Sequence, residues 1–419
     1  MSPPLRIAIS GGGLGGASLL HALLLHPHLD VHIFESATAF KEAGMAIGIT
    51  RNALDALDLI GPSARQCLER AGAVPMRGVR LMLAQGEKAG SMIDELNGEG
   101  PDERVTSIVH RADFLRETLA GVPQERMHAS KKLVTFDKND DGSLTLHFAD
   151  GTTHDCDVLI GADGIRSTVR RLILGEDEPS AFPRNSCAWG VMTLQPYDKA
   201  QAIIGKETIN IENAREHAWI GDGTFLMHNV LSGGQLVQIV VGGYDDEAKA
   251  AGQWQRIVPA DEMRELFKNH PTNLKNAVEE PEQAGFYCWE HPSAPTYADG
   301  TVCVMGDAAH ATTPWQSSGA GMSLEDALIL STLLGLAKDR TEAQSALKIY
   351  DQVRRPRTQY IVDSSRVTGR ILSGLGEETK LDIEKLKEKT LPRWPYIVDF
   401  DNEKARDEAV ELMKKELAS

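Results

Sequence analysis

A glycine-rich loop close to the start of the chain constrains the fold more than any other segment. Residues Leu5–Ser10 are mostly apolar and partly β-branched, which predicts a buried strand. The loop occupies residues 11–16, and residues 17–26 after it are rich in Ala and Leu, as in a helix. A second short strand is predicted at residues 31–35. This order of strand, loop, helix and strand is that of a Rossmann-type nucleotide-binding unit.

The loop has the spacing G-x-G-x-x-G, with Gly11, Gly13 and Gly16 at the key positions and Leu14 and Gly15 between them. In such a loop the first glycine makes a tight turn, the second lets the backbone approach a pyrophosphate, and the third lets the helix pack against the strand. The following helix directs unpaired N–H groups and the positive end of its dipole toward the phosphates. A lone glycine motif is a weak signal, but this one lies between a predicted strand and a predicted helix.

An acidic residue, Glu35, closes the second predicted strand 19 residues after Gly16. A carboxylate at this position accepts hydrogen bonds from ribose hydroxyls, and it would repel a 2′-phosphate. The loop and Glu35 together therefore predict a site for FAD or NAD and disfavour NADP.

Two later segments place a carboxylate directly after a predicted buried strand. Residues 156–162 lead into Asp163 and Gly164, and residues 302–306 lead into Asp307. Open α/β sheets bind ligands at the carboxyl ends of their strands, where Asp307 can hold polyol hydroxyls. Either segment alone could also be an ordinary strand-to-helix turn.

A second loop of small residues follows Asp307 and leads into an apolar helix predicted over residues 322–337. Small residues let backbone N–H groups face a flat ring, and the positive end of the helix stabilises a ring that becomes anionic on reduction. Taken in this order, the three segments predict tight binding of FAD. The residues expected near the flavin ring are Pro314, Gly319, Ala320, Gly321 and Met322.

The middle of the chain, residues 181–286, has a different pattern of strand-like runs punctuated by Gly and Asp. It predicts an antiparallel sheet that forms a separate layer or domain. The strand-like runs are residues 187–194, 217–230 and 236–242. Near the end of the chain, helical spacing of apolar residues predicts an amphipathic helix over Asn402–Leu417.

Charge and composition exclude several classes of partner. Lys and Arg number 44 and Asp and Glu 60, so the net charge of −16 disfavours nucleic acid and anionic membranes. The sequence predicts neither a signal peptide nor an uninterrupted apolar run long enough for a membrane span. The five cysteines have no CxxC spacing, so we expect them to be reduced packing residues in a cytoplasmic protein. We also expect no metal site, and either a monomer or a homodimer.

The three segments resemble the GxGxxG, DG and GD motifs of the class A flavoprotein monooxygenases, the family of para-hydroxybenzoate and salicylate hydroxylases. The resemblance covers nearly the whole chain. In detail, the sequence is most similar to the salicylate-hydroxylase-like branch of this family. The further segments that carry it are residues 44–57, 110–113, 311–314, 350–357 and 393–394.

The resemblance implies an α/β fold in which a Rossmann-type FAD-binding domain is interleaved with an antiparallel β-sheet substrate domain, followed by a helical C-terminal segment. The expected segments are 1–75, 106–180 and 287–350 for FAD binding, 76–105 and 181–286 for the substrate domain, and 351–419 for the C-terminal segment.

The same resemblance implies that Arg111 contacts FAD, that Asp307 contacts the ribityl chain, and that Asp163 and Gly164 have a structural role toward FAD and NAD(P)H. It implies a reaction in which NADH or NADPH binds transiently and reduces the flavin. O2 then adds at flavin C4a, and one oxygen atom passes to an aromatic substrate, a phenol or hydroxybenzoate. Salicylate-type oxidative decarboxylation and hydroxylation of a phenolic polyketide both fit these motifs.

Other functions remain as alternatives. An FAD-dependent halogenase would carry a W-x-W-x-I-P signature, which the sequence lacks. An NAD-dependent dehydrogenase would leave the loop after Asp307 unexplained, and so would a flavin-binding module without activity. A second GxGxxG is missing, which argues against enzymes with two dinucleotide domains.

His228 is the candidate catalytic residue, although a histidine packed in the core is the alternative. It follows the apolar run Phe225, Leu226 and Met227 in the predicted middle sheet. Because histidine titrates near neutral pH, it could favour the phenolate form of a bound substrate. For His310, a structural hydrogen bond is the preferred interpretation.

Overall fold

The computed structural model describes residues 3–41, 46–97, 106–279 and 282–418. The chain folds into a mixed α/β structure with a largely parallel sheet and a long, largely antiparallel sheet. Several of the sequence predictions extend beyond the described residues, among them Gly44 at the start of segment 44–57 and residues 98–105 of the expected substrate domain.

The parallel sheet carries the glycine-rich loop. Leu5–Ser10 lies at its centre and pairs in parallel with Leu29–Phe34 on one side and Val158–Gly161 on the other. Val302–Val304 continues the parallel order beyond Val158–Gly161. In space the strands follow the order Ala298–Asp299, Val302–Val304, Val158–Gly161, Leu5–Ser10, Leu29–Phe34 and Met127–His128.

This order explains why three distant segments meet. Parallel strands end at the same edge of the sheet, so the loops after Leu5–Ser10, Val158–Gly161 and Val302–Val304 come together at one edge. The apolar side chains of these strands form the main core with the helices on both faces, and Ile7, Ile9 and Ile160 are completely buried.

The antiparallel sheet is built from the middle of the chain together with two earlier strands. Its order is Gln255–Pro259, Glu282–Glu290, Arg184–Pro196, Leu236–Tyr244, Thr224–Leu231, Glu216–Ile220, Gly78–Leu83 and Met92–Asn97. Neighbours run antiparallel except for Glu216–Ile220 and Gly78–Leu83. The single run predicted over 217–230 is a hairpin of two strands, because Gly223 takes a positive φ of 73° in the turn between them.

Two smaller sheets complete the strands. One has the order Thr153–Cys156, Leu144–Phe148 and Leu133–Lys138, and the other Ala46–Thr50, Thr106–His110 and Val74–Met76. The helices are, in chain order, Leu14–Leu23, Arg51–Ile60, Pro62–Arg70, Arg111–Leu119, Thr168–Leu174, Tyr197–Ile204, Glu247–Ala250, Ala260–Phe267, Thr272–Ala277, Asp307–His310, Gly319–Leu336, Arg340–Leu372, Ile383–Lys389, Pro395–Val398 and Asn402–Leu417.

Gly319–Leu336 is the helix that follows the second small-residue loop, and it begins three residues before the predicted start. It is long and apolar enough to cross a membrane by composition, with a mean hydropathy of 1.2, but 72% of it is buried inside the protein. It packs against Leu14–Leu23, Arg51–Ile60 and Arg340–Leu372. Its apolar character therefore serves the core.

The C-terminal helix Asn402–Leu417 has the predicted bounds. The part of the helix that packs on the protein is shorter than the helix itself, since Ala409 and Met413 are buried whereas Leu417 is 43% exposed. The last turn of the helix therefore extends beyond the surface on which the helix packs.

Candidate active site

The glycine-rich loop adopts a conformation that side chains would prevent. Gly11 has a φ of 111°, and a Cβ atom there would lie 2.2 Å from the carbonyl oxygen of Ala162. A Cβ atom on Gly16 would lie 2.1 Å from the carbonyl oxygen of Gly11, so Gly16 provides the close packing of helix and strand that its position predicts. Gly13 caps the helix Leu14–Leu23 without a side-chain hydrogen bond. The first N–H groups of this helix therefore point toward the open loop.

Glu35 holds this loop in place. Its carboxylate accepts hydrogen bonds from the Gly12 amide at 2.7 Å and the Ala37 amide at 2.6 Å. The side chain is half-buried and lines a cavity beside Gly11 and Gly13. Glu35 thus fixes the shape of the glycine loop while it faces the same space.

Asp163 has a structural role at the carboxyl end of Val158–Gly161. Its carboxylate accepts hydrogen bonds from the Thr168 amide at 2.7 Å and the Val169 amide at 3.1 Å, and from the Ser167 hydroxyl. These bonds cap the helix Thr168–Leu174. The adjacent Gly164 has a φ of 74° and lines the open space.

Asp307 and the start of Gly319–Leu336 form the opposite wall. The Asp307 side chain is exposed toward the open space, while the preceding Gly306 donates its amide hydrogen to Asp326 at 3.0 Å. His310 Nε2 lies 2.6 Å from the same carboxylate oxygen, Asp326 Oδ2, and the His310 side chain is fully buried. The hydrogen bond of His310 is therefore structural, in agreement with the preferred interpretation.

Two connected cavities lie along these loops. The first, of about 870 Å³, runs past the glycine loop, Glu35 and Asp163. The second, of about 800 Å³, extends from Asp307 to one face of the antiparallel sheet. They join at residues that line both, among them Gly13, Arg111, Gly164, Trp254 and Trp289.

Most residues predicted for cofactor binding line these cavities. They are Gly11, Gly13, Leu14, Gly15, Glu35, Arg111, Asp163, Gly164, Asp307, Pro314, Gly319 and Ala320. Gly16, Gly321 and Met322 do not, because they lie behind the loops. A Cβ atom on Gly321 would meet Ala53 at 3.4 Å, and Met322 is 1% exposed within the core.

The structure corrects the prediction for His228. Side chains alternate between the faces of a strand, and Phe225, Met227 and Asn229 of Thr224–Leu231 line the second cavity. His228 therefore lies on the other face, where its ring stacks on His217 with 5.0 Å between centroids. The Trp219 indole donates a hydrogen bond to His228 Nε2 at 3.2 Å. Burial holds the pKa of His228 well below its usual value, as expected for a neutral core histidine.

Comparison with known proteins decides the family. The FAD binding domain family matches residues 5–365. The chain belongs to this family. A 6-methylsalicylate 1-monooxygenase of Aspergillus terreus is 34% identical over 97% of this chain and 92% of that protein. An FAD-dependent monooxygenase of Phaeosphaeria nodorum is 30% identical over 98% of this chain and 86% of that protein.

A solved salicylate hydroxylase substrate complex has the same fold, with a TM-score of 0.84, 25% identity and 98% of both chains covered. The protein is therefore an FAD-dependent monooxygenase of the salicylate hydroxylase type, and its cofactor is FAD. The predicted fold class and family are confirmed. The expected domain boundaries stay a prediction.

Sequence reasoning missed the residues on the sheet side of the second cavity. The sheet face of the second cavity consists mainly of apolar side chains and glycines, together with the polar residues Glu216, Asn229 and Gln238. Both faces of the sheet are buried, so alternation along Thr224–Leu231 could not show which face lines the cavity. His228 attracted attention as the titratable residue, whereas its neighbour Asn229 is the one that reaches the cavity.

An aromatic pair stands where the two cavities join. Trp254 and Trp289 stack in parallel with 4.2 Å between ring centroids, and the Arg166 guanidinium lies 3.9 Å above the Trp254 ring. Arg166 is exposed and both tryptophans are half-buried. Trp254 and Trp289 line both cavities, so this stack forms part of the wall where the two cavities join.

Proposed function

We propose that this monooxygenase uses NADH or NADPH and O2 to hydroxylate a phenolic ring that lies between the flavin and the antiparallel sheet. The observation that carries the proposal is the second cavity, because it joins Asp307 and Gly319 directly to the apolar face of Thr224–Leu231 and Leu236–Tyr244. One oxygen atom enters the ring and the other leaves as water, with the two electrons supplied by the nicotinamide.

The residues of the first cavity fit FAD. The glycine loop and the N-terminus of Leu14–Leu23 would hold the pyrophosphate, and Glu35 would face the adenosine ribose. Asp307 would hold the ribityl chain, and the start of Gly319–Leu336 would face the ring. When bound there, FAD supplies the activation of oxygen that no side chain of the protein can supply.

The protein itself orients the substrate and excludes water. Met192, Met227 and Val240 present apolar side chains to the cavity, and Phe286 and Trp315 close it from the sides. Such a surface favours binding of a flat aromatic ring. It also excludes water, which would otherwise promote the release of reduced oxygen species without product formation.

The paired glycines Gly190 and Gly242 line the same face of the cavity. A Cβ atom on Gly242 would lie 3.3 Å from the Trp315 ring, and one on Gly190 would lie 3.2 Å from Phe286. The glycines therefore let these two aromatic rings pack close to the sheet, and a side chain at either position would push an aromatic ring away from it.

Salicylate-type oxidative decarboxylation is a second candidate. The similarity to a 6-methylsalicylate 1-monooxygenase favours it. It differs from simple hydroxylation because the oxygen replaces a carboxyl group, which leaves as CO2.

The test is a panel of phenols and hydroxybenzoates assayed with the purified yellow protein. We expect denaturation to release FAD, and one class of phenol to stimulate the oxidation of NADH or NADPH with formation of a hydroxylated product. Labelled O2 must place its label in that product, and CO2 release separates decarboxylation from hydroxylation. Release of FMN, or stimulated oxidation that yields only hydrogen peroxide for every compound, would contradict the proposal.

A further inference from the structure

Three polar side chains cross the sheet face of the second cavity in one row. Asn229 pairs with Gln238 in the antiparallel register of Thr224–Leu231 and Leu236–Tyr244. On the other side of Asn229, His217 pairs with His228, so the next residue back, Glu216, lies opposite Asn229. All three side chains line the cavity, surrounded by the apolar residues of that face.

The row is buried and incompletely bonded. Glu216, Asn229 and Gln238 are 4%, 2% and 3% exposed. Gln238 is bonded, since its Oε1 accepts the Ala46 amide hydrogen at 2.8 Å. Among the described residues, however, Asn229 Oδ1 is a buried atom with no hydrogen-bond partner, whereas a buried acceptor of this kind is normally satisfied. The Glu216 carboxyl lines the same cavity, and no hydrogen bond from a described residue reaches it.

The charged residues around the row do not form a binding site for an anion. Within the described chain, the charged residues that line the second cavity are Arg111, Glu216 and Asp307, and Arg111 and Asp307 belong to the loops on the cofactor side. The arginines beside Glu216 in the sheet, Arg80 and Arg215, both ion-pair with Glu95, at 2.8 Å and 2.6 Å. A carboxylate placed at this end of the cavity would therefore face another carboxyl group, and no described cation lines the cavity beside it.

We propose that Glu216 and Asn229 form the subsite that recognises the hydroxyl groups of the phenolic substrate, and that the substrate is an uncharged phenol without a carboxylate at that end. This inference rests on the proposed function and names its substrate class. Glu216 and Asn229 are specificity-determining residues, and the chemistry of oxygen transfer stays with the cofactor.

Hydrogen-bond chemistry explains this preference. A phenolic O–H donates to the Glu216 carboxyl or to Asn229 Oδ1, and neither acceptor receives a hydrogen bond from a described residue. A resorcinol-like ring, with two hydroxyls in a meta relation, satisfies both acceptors at once. Above pH 7, where Glu216 is ionised, a ligand carboxylate brings no donor and adds a second buried negative charge, which is costly without a paired cation. Discrimination of about tenfold or more between the two ligand classes follows from one such mismatch.

The experiment compares ligands that differ by one carboxyl group. Resorcinol and 2,4-dihydroxybenzoate are titrated into the oxidised FAD-bound enzyme above pH 7, where the Glu216 carboxyl is ionised. The change in the flavin absorption spectrum gives each dissociation constant. The same titrations are made with Glu216→Gln and with the control Glu212→Gln. Glu212 is exposed and lies in the turn before the same strand, so the control has the same chemical change outside the cavity.

We expect the wild-type enzyme to bind resorcinol at least about tenfold more tightly than the benzoate. In Glu216→Gln that ratio should fall by about tenfold or more, because an amide can donate to a carboxylate, while Glu212→Gln keeps the wild-type ratio. Thermal unfolding and flavin content verify that each variant is folded and loaded.

Three results would overturn the inference. A wild-type preference for the benzoate does so and leaves the proposed function standing if the benzoate is hydroxylated. An unchanged ratio in folded, FAD-loaded Glu216→Gln removes Glu216 from the subsite. Binding of neither compound, together with no stimulated oxidation by any phenol, removes the inference and the proposed substrate class together.

Discussion

Arg354 and Asp326 form an ion pair in the interior of the protein, with 2.8 Å between Nε and Oδ1 and side-chain exposures of 2% and 0%. Asp326 also accepts hydrogen bonds from the Gly306 amide, and His310 Nε2 lies 2.6 Å from its Oδ2. The helix Arg340–Leu372 thereby fixes the loop that carries Asp307. Burial opposes both ionised forms, but His310 and then Arg354 hold the pKa of Asp326 well below its usual value, and Glu325 and then Asp326 raise the pKa of Arg354.

Replacing Arg354 with Met should destabilise the protein strongly. Loss of Arg354 leaves Asp326 buried with less compensation, and Glu325 loses one of its two arginine partners. Breaking a buried pair by removing one partner costs about 3–5 kcal/mol of the free energy of unfolding. Urea denaturation of the FAD-loaded protein measures this free energy, and faster loss of flavin on dilution should accompany it.

The neighbouring Arg355→Met is the matched control. Arg355 pairs with Asp351, but its side chain is 28% exposed, and a pair of that kind contributes at most about 1 kcal/mol. Equal losses in the free energy of unfolding of the two variants would show that the buried ion pair contributes no more to stability than the exposed one.

Replacing Gly13 with Val should yield protein without flavin. A side chain at Gly13 would occupy the space into which the N-terminus of Leu14–Leu23 points, where the pyrophosphate would lie. The ratio of flavin to protein absorbance after purification measures the loss. Gly121→Val is the control, because a Cβ atom at Gly121 meets nothing within 4 Å. Full flavin content in folded Gly13→Val would place the pyrophosphate elsewhere.

The cofactor side of the site was predictable because its constraints are local. The turn at Gly11 and the close packing at Gly16 follow from spacing within six residues, and the carboxyl ends of parallel strands must meet at one edge. Even here, sequence could not show that the carboxylate of Asp163 is used to cap a helix, or that Met322 faces the core.

The sheet side of the second cavity was not predictable, because it depends on pairing between strands. Glu216, Asn229 and Gln238 lie on three strands and become neighbours through the register of the sheet. Helices cover the other face of the same sheet, where His228 is packed, so both faces are apolar. The alternation of side chains therefore does not show which face of the strand lines the cavity. If the strand were paired one residue out of register, His228 would face the cavity in place of Asn229. The sequence pattern alone does not determine that register.

Asp307→Ala should weaken FAD binding without unfolding the protein. If the exposed carboxylate holds the ribityl hydroxyls, its loss removes a charge-assisted hydrogen bond worth about 1.5–3 kcal/mol, or roughly ten- to hundredfold in the dissociation constant. Fluorescence titration of the apoprotein with FAD measures the change. Asp299→Ala is the control, since Asp299 lies on the edge strand of the same sheet and pairs with the exposed Lys138. Wild-type affinity in Asp307→Ala would contradict the assignment.

His228→Ala should reduce stability and leave catalysis unchanged. The substitution removes the hydrogen bond from Trp219 and the stacking with His217, and it opens space in a packed layer. We expect a loss of about 1–3 kcal/mol in the free energy of unfolding. Turnover per FAD and the coupling of NAD(P)H oxidation to product should match the wild type. A stable but uncoupled variant would return His228 to the substrate site.

The burial of Glu216 has a consequence for stability in the enzyme without substrate. Burial raises the pKa of its carboxyl to about 7 from a usual value of 4.5. Because the folded protein holds this proton more tightly than the unfolded chain, the carboxyl does not oppose folding below about pH 4.5. Its destabilising effect grows as the pH rises through 7 and is then constant.

Glu216→Gln removes this titration and should therefore stabilise the protein in a pH-dependent way. The gain over wild type should be small near pH 4.5 and should reach on the order of 3 kcal/mol above pH 7, since one pKa unit corresponds to about 1.4 kcal/mol. Urea denaturation of both proteins at several pH values measures the difference, in which other titrating groups cancel. Glu212→Gln, whose side chain is exposed, should show a flat difference. A flat difference for Glu216→Gln as well would mean that the carboxyl is solvated or paired in solution, and the buried acceptor that the phenol subsite requires would be absent.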